Sequence, residues 1–212
     1  LRIFLSISLT AGLGFGGYAY WLMDEIKRQH AISTERALFD IANILSSQLS
    51  SKVKNGAIDT SDFDGTFKNL KKLSFEAVIH DFVIKKSNIN VFITNKKKVV
   101  LYDSRSKKNV GKSVNWRDVN LTLKGEYGAR STQENINDEF SHVFYVSSPI
   151  WDKNRSTYPP KIDNIIGVVS VSKSTESFKN FVFGGQDRII LMVVTLFVAA
   201  LTLALLFSYW LT

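Results

Sequence analysis

Six aromatic and arginine residues between positions 102 and 145 could together bind a small anion. Arginine offers a planar, bidentate donor, and aromatic rings offer flat apolar walls, a combination that suits a small carboxylate or phosphate. The alternative is that Trp116 and Tyr145 belong to the core and that Arg130 pairs with Glu126 or Asp138. The sequence predicts a ligand pocket beside the connection of residues 110–128, with these candidate residues: Tyr102, Trp116, Arg117, Tyr127, Arg130 and Tyr145.

Residue patterns typical of enzymes and metal sites are absent from the sequence. Its three histidines, His30, His80 and His142, are not at the spacing of metal ligands, and there is no cysteine. The sequence also lacks the motifs of zinc proteases, α/β-hydrolases and P-loop proteins. We therefore expect no catalytic residue, no metal and no cofactor within this chain.

Charge is distributed unevenly along the 212 residues. The formal net charge is +8, yet residues 1–22 carry only Arg2 and residues 189–211 carry no charge. About 20 apolar residues suffice to cross a bilayer as a helix. The pattern predicts membrane spans at 1–22 and 189–211, flanking one polar domain at 23–188.

The positive charge is most simply explained by a lysine-rich, solvated surface, with acidic ligands or anionic lipid as the alternative. Nothing suggests a nucleic-acid partner.

Apolar spacing predicts the elements that would position the candidate residues. There is neither Gly nor Pro from Tyr18 to Asn55. The first span is therefore expected to continue as a long helix over about 23–55. A loop at 59–65 and a helix at 67–82 should follow. Short runs rich in apolar residues and separated by turns then predict strands at 90–94, 99–103, 129–135, 140–151 and 165–173. A short helix at 175–183 and Gly184-Gly185 would precede the second span. The expected fold is α+β, a five-stranded antiparallel sheet with helices on one face.

Several segments resemble the input region of CreC-type sensor histidine kinases. The strongest is LTLKGEYGARST at 121–132. It is supported by VFIT at 91–94, LYDS at 101–104, Gly111 with WRDV at 116–119, YVSSPI at 145–150, and IGVVSV at 166–171. The order and spacing agree from about residue 90 to residue 173, and both predicted spans fall where that family has them.

The resemblance implies a PAS/Cache-like sensor domain in the periplasm of a bacterial inner-membrane protein. It also implies a homodimer, a cytoplasmic kinase using ATP and Mg²⁺, and a response regulator as its partner. The phosphoacceptor and ATP-binding modules of such kinases are expected outside these residues, so no kinase residue is carried over. The signal would be a small acidic ligand or a periplasmic protein. A chemoreceptor, a cyclase and a stand-alone membrane-anchored binding protein are the alternatives.

Overall fold

A computed structural model describes residues 2–72, 77–79, 82–84, 88–138, 141–152 and 162–210. These residues fall into two compact units, one of residues 33–176 and one of residues 1–32 with 177–212. Two short 3-10 turns, Lys107–Asn109 and Ile162–Asn164, lie between the main elements. The helices and strands are α1 (Arg2–Ser51), α2 (Ser61–Lys72), β1 (Ala77–Ile79), β2 (Phe82–Ile84), β3 (Ile89–Asn95), β4 (Val100–Asp103), α3 (Arg117–Leu123), β5 (Gly128–Gln133), β6 (His142–Trp151), β7 (Ile165–Ser174) and α4 (Glu176–Trp210).

The main sheet of residues 33–176 confirms the predicted five-stranded antiparallel arrangement. Its strand order is β4-β3-β7-β6-β5, and every neighbouring pair is antiparallel. A separate two-stranded hairpin joins β1 to β2. The last strand along the chain, β7, therefore lies at the centre of the sheet, and β4 and β5 are its two edges.

One face of the sheet, here called the helical face, packs against α1 and α2. Since side chains alternate along a strand, Val91 and Ile93 of β3 point to this face together. They join a cluster of buried residues that includes Leu38 and Leu49 of α1 and Phe63 of α2. Burial of this apolar stripe is the main reason that α1 and α2 lie here.

The opposite face, here called the α3 face, corrects the expectation that helices cover one side alone. Phe92 and Val168 point to this side and pack against Val119 of α3. The short helix α3 thus covers a second, smaller apolar cluster. The apolar residues Trp116, Val119 and Leu123 of the connection at 110–128 predict a short helix there, but seven residues do not indicate on which face of the sheet it packs.

Two predicted helices also have different bounds in the structure. The region predicted as a loop at 59–65 forms much of α2, because Phe63, Phe67 and Leu70 recur at helical spacing and pack on the core. The predicted helix at 67–82 therefore ends at Lys72. The prediction is wrong for residues 77–79, which form β1, and for Phe82, which begins β2, while residues 73–76 and 80–81 lie outside the described residues. Likewise, α4 runs through Gly184-Gly185 instead of breaking there.

The unit of residues 1–32 and 177–212 contains one helical stretch, Ile190–Phe207, that is long and apolar enough to cross a membrane. That assessment covers the described residues and rests on length and composition. The first predicted span, at 1–22, lies within α1 and stays a prediction. The domain limits at 23–188 also stay predictions.

Candidate functional site

Arg130 lies between two aromatic rings on the α3 face. Its guanidinium carbon is 3.7 Å from the centroid of the Tyr145 ring and 5.2 Å from that of Trp116. Arg130 and Tyr145 are register partners on β5 and β6, which places both side chains on the same face. Phe92 meets Trp116 edge-on, with 4.7 Å between the ring centroids. Cation–π contacts of this kind hold the arginine in a fixed position.

Asp118, in the first turn of α3, neutralises the charge of Arg130. Its side chain is fully buried, and Oδ1 accepts a hydrogen bond of 2.9 Å from Nε of Arg130. The other oxygen, Oδ2, accepts bonds from the hydroxyls of Ser147 at 3.0 Å and Ser170 at 2.7 Å. A buried carboxylate persists only with such complete pairing. Asp118, rather than Glu126 or Asp138, is thus the partner of Arg130.

Gly128 allows α3 to approach β5 closely. A Cβ atom at this position would overlap Oγ1 of Thr122 and the carbonyl oxygen of Asp118. Any side chain here would push β5 away from the helix that carries Asp118. Gly128, the second glycine of the LTLKGEYGARST segment, therefore maintains the geometry of the Asp118–Arg130 pair.

A cavity of about 270 Å³, here called the sheet cavity, opens beside the arginine. Trp116, Arg130 and Tyr145 form one wall, and Arg105 and Lys108 contribute from the segment after β4. Arg130 exposes only 17% of its side chain and donates hydrogen bonds to Asp118 and Thr132. It therefore lines the cavity but has few N–H groups left to donate to a ligand. The more exposed Arg105 and Lys108 are better placed to meet an anion.

Arg105 forms an ion pair with Glu134, which lies just after β5. The hydrogen bond to Arg105 lowers the pKa of the Glu134 carboxyl, and the same bond raises the pKa of Arg105. Both side chains are about half exposed, at 51% and 40%, so solvent screens the pair. An incoming anion could compete with Glu134 for this guanidinium.

A second cavity of about 330 Å³, here called the edge cavity, lies beside β5. Its lining includes Arg117 and Tyr127, two of the predicted ligand residues, together with Glu35 of α1. The hydroxyl of Tyr127 donates a hydrogen bond of 2.6 Å to Oε1 of Glu35, and Phe39 packs against its ring. Burial, followed by this bond to a carboxylate, raises the pKa of Tyr127.

Tyr102 lies apart from the other predicted residues. It packs against Phe63 and Phe67 on the helical face, and its hydroxyl donates a bond of 3.2 Å to the carbonyl of Phe63. Burial raises its pKa to about 12. It borders a smaller cavity of about 170 Å³ near α2. The structure thus brings Trp116, Arg130 and Tyr145 together, and separates Tyr102 from them.

Asp118, Arg105 and Lys108 are site residues that the sequence reasoning missed as ligand candidates. Arg105 and Lys108 lie in the segment just after the predicted strand at 99–103. Their position beside a strand end was the sequence feature that could have identified them as candidates. No comparable signal marked Asp118, because its burial depends on how α3 lies on β6 and β7. Among the described residues, no group of three or more His, Cys, Asp or Glu side chains is arranged to hold a metal ion.

Together, the five-stranded sheet and the helices on its two faces define an α+β domain. The comparison with known proteins finds similarity to a sensor protein. The chain is 31% identical over 211 residues, 99% of its length, to the sensor protein CreC of Escherichia coli (strain K12). The predicted resemblance to CreC is therefore confirmed. The chain spans 42% of the length of that relative.

Weaker likenesses exist among solved structures. The sensor domain of Escherichia coli DcuS has a TM-score of 0.38 and 13% identity, covering 74% of this chain and 93% of that one. A C-terminal domain from Streptococcus mutans has a TM-score of 0.31 and 9% identity, covering 51% and 98%. No protein-family profile matches the chain.

Proposed function

We propose that this chain is the input module of a bacterial membrane sensor histidine kinase. The single observation that carries the proposal is the similarity to a sensor protein along 99% of the chain. In this proposal the domain of residues 23–188 is periplasmic, two spans cross the inner membrane, and a cytoplasmic kinase passes phosphate to a response regulator. ATP and Mg²⁺ would serve that kinase, and the receptor would act as a homodimer.

The sheet cavity is the proposed sensing site, and its ligand is a small anion. Arg105 and Lys108 would supply the attraction, because Arg130 already has Asp118 as its counter-charge. Trp116 and Tyr145 would cover the apolar part of the ligand. A ligand shifts a receptor only by binding its two states unequally. Here the unequal contact would be with Arg105, which Glu134 holds in the free protein.

Thermal unfolding of the full chain in detergent micelles tests the sensing site. The probes are inorganic phosphate, acetate and citrate. A probe at about 100 times its Kd should stabilise the folded chain by about 2.7 kcal/mol. Lys108→Gln should weaken the effective probe about tenfold, and Lys97→Gln, at the exposed turn before β4, should not. Equal weakening by both changes would point to a general charge effect and would contradict this site.

Two experiments test the signalling role. The gene sequence after the codon for Thr212 should encode a phosphoacceptor and ATP-binding module; a methyl-accepting or cyclase module there would establish the alternative classes. Replacing the matched region of CreC with this chain should give a receptor that autophosphorylates in membranes with ATP and Mg²⁺. Loss of autophosphorylation in a correctly inserted chimera would contradict an input role.

A further inference from the structure

The edge cavity lies beside β5, the edge strand of the sheet. Side chains from both faces of the sheet line it. Ala129 and Val146 are register partners whose side chains point to the helical face. Arg130 and Tyr145, the next pair along the strands, point to the α3 face. All four residues line the edge cavity. The Arg130–Tyr145 pair is thus a wall between two cavities, with the sheet cavity on its other side.

The floor of the edge cavity is apolar. Phe144 lies two residues before Val146 on β6, so both side chains point the same way. Leu121 of α3 contributes from the opposite side. Val146 is fully buried, while Phe144 and Leu121 are half-buried. An apolar ligand group placed here would cover surface that α1 and α3 leave accessible.

Two opposite charges border this floor. Glu35 uses Oε1 to accept the bond from Tyr127, and its second oxygen has no hydrogen-bond partner in the described part of the chain. The guanidinium of Arg117 is exposed and, within the same residues, forms no ion pair or side-chain hydrogen bond. Although both groups border one cavity, no ion pair joins them there. A ligand that binds to this cavity would therefore meet a carboxylate and a guanidinium that are both available.

We propose that the edge cavity binds a free α-amino acid with an apolar side chain. The ammonium group would bind to Glu35, the carboxylate would bind to the planar fork of Arg117, and the side chain would pack against Leu121 and Phe144. The cavity volume of about 330 Å³ accommodates such a molecule. This site is separate from the anion site of the sheet cavity and does not depend on it. The shared Arg130–Tyr145 wall places the two ligands on either side of one pair of side chains.

Isothermal titration of the full chain in lipid nanodiscs tests the charge requirement. The probes are L-leucine, L-valine and L-phenylalanine, with N-acetyl-L-leucine and L-leucinamide as controls that each lack one charge. At least one of the amino acids should bind, and both controls should bind at least about tenfold more weakly than L-leucine. Absence of binding by all three amino acids up to about 10 mM would overturn the proposal. So would equal binding of L-leucine and N-acetyl-L-leucine.

Charge-removing variants assign the binding to this cavity. Glu35→Gln keeps an acceptor for Tyr127 but removes the negative charge, so it should weaken L-leucine about tenfold. Arg117→Gln should weaken L-leucine to a similar degree while leaving L-leucinamide unchanged. Lys108→Gln, in the sheet cavity, is the matched control and should have no effect on any of these probes. If L-leucine bound equally well to the wild-type chain and to the Glu35→Gln and Arg117→Gln variants, its site would lie elsewhere. Circular dichroism should show that each variant is folded.

Discussion

The two faces of the sheet differ in how they are stabilised. The helical face is covered by α1 and α2 through apolar contacts, with Leu38, Leu49 and Ile93 almost completely buried. On the α3 face the buried apolar cluster is small, and a charged network of Asp118 and Arg130 crosses the interface. The helical face therefore holds most of the buried apolar side chains, while the α3 face holds polar groups in fixed positions beside a cavity.

The two faces should also differ in the free energy that a single substitution removes. Truncating a buried apolar side chain removes its contacts and leaves a cavity. Removing one member of a buried polar network has a different cost, because each group that loses its partner stays desolvated. The α3 face should therefore be the more sensitive to single polar changes, even though it buries fewer apolar side chains.

The largest expected effect comes from Asp118→Ala. The change leaves Arg130 without its counter-charge and removes the acceptor for Ser147 and Ser170. Breaking a buried ion pair from one side costs about 3–5 kcal/mol. Urea unfolding of the full chain in detergent micelles should show this loss. A loss below about 1 kcal/mol would mean that water replaces the carboxylate, and the contrast between the faces would weaken.

Leu49→Ala tests the helical face with a similar expected loss and a different functional result. Leu49 is fully buried, and truncating such a leucine costs about 2–5 kcal/mol. The same urea measurement applies. Because Leu49 lies on the helical face, binding of anions in the sheet cavity should stay unchanged in this variant. A change in anion affinity as large as that of Lys108→Gln would show that the two faces are not separate.

Alkaline pH should affect the helical face through Tyr102. Burial raises the pKa of Tyr102 to about 12, whereas an unfolded tyrosine ionises near pH 10. Its contribution to stability is therefore complete below about pH 10 and is lost as the pH rises towards 12. Tyr102→Phe should reduce the fall in unfolding free energy between about pH 8 and pH 11. An identical fall in both proteins would show that Tyr102 is solvated in solution.

The smallest expected effect is that of Glu134→Gln. The pKa of Glu134 is lowered by Arg105, so the ion pair stabilises at neutral pH and is lost as the pH falls. An exposed pair contributes less than about 1 kcal/mol. The change should release Arg105 and tighten anion binding in the sheet cavity, measured with the same probes as above. Weaker anion binding would mean that Glu134 positions Arg105 for the ligand.

Much of the sheet could be predicted because β3, β6 and β7 are apolar runs rich in β-branched and aromatic residues. Tyr102 shows the limit of that method. Its register partner on β3 is Ile93, which belongs to the cluster on the helical face. Local sequence does not reveal that pairing. Similarly, Asp118 is buried by contacts with strands about 30 and 50 residues further along the chain, as its bonds to Ser147 and Ser170 show.

Trp116 gives the molecule an internal optical probe. Its indole lines the sheet cavity and lies against Phe92 and Arg130. A ligand that enters the cavity would replace water at this ring and change its fluorescence emission. The other three tryptophans, Trp21, Trp151 and Trp210, do not line that cavity. Occupancy of the sheet cavity can therefore be followed without a label, as the difference between the wild-type spectrum and that of Trp116→Phe.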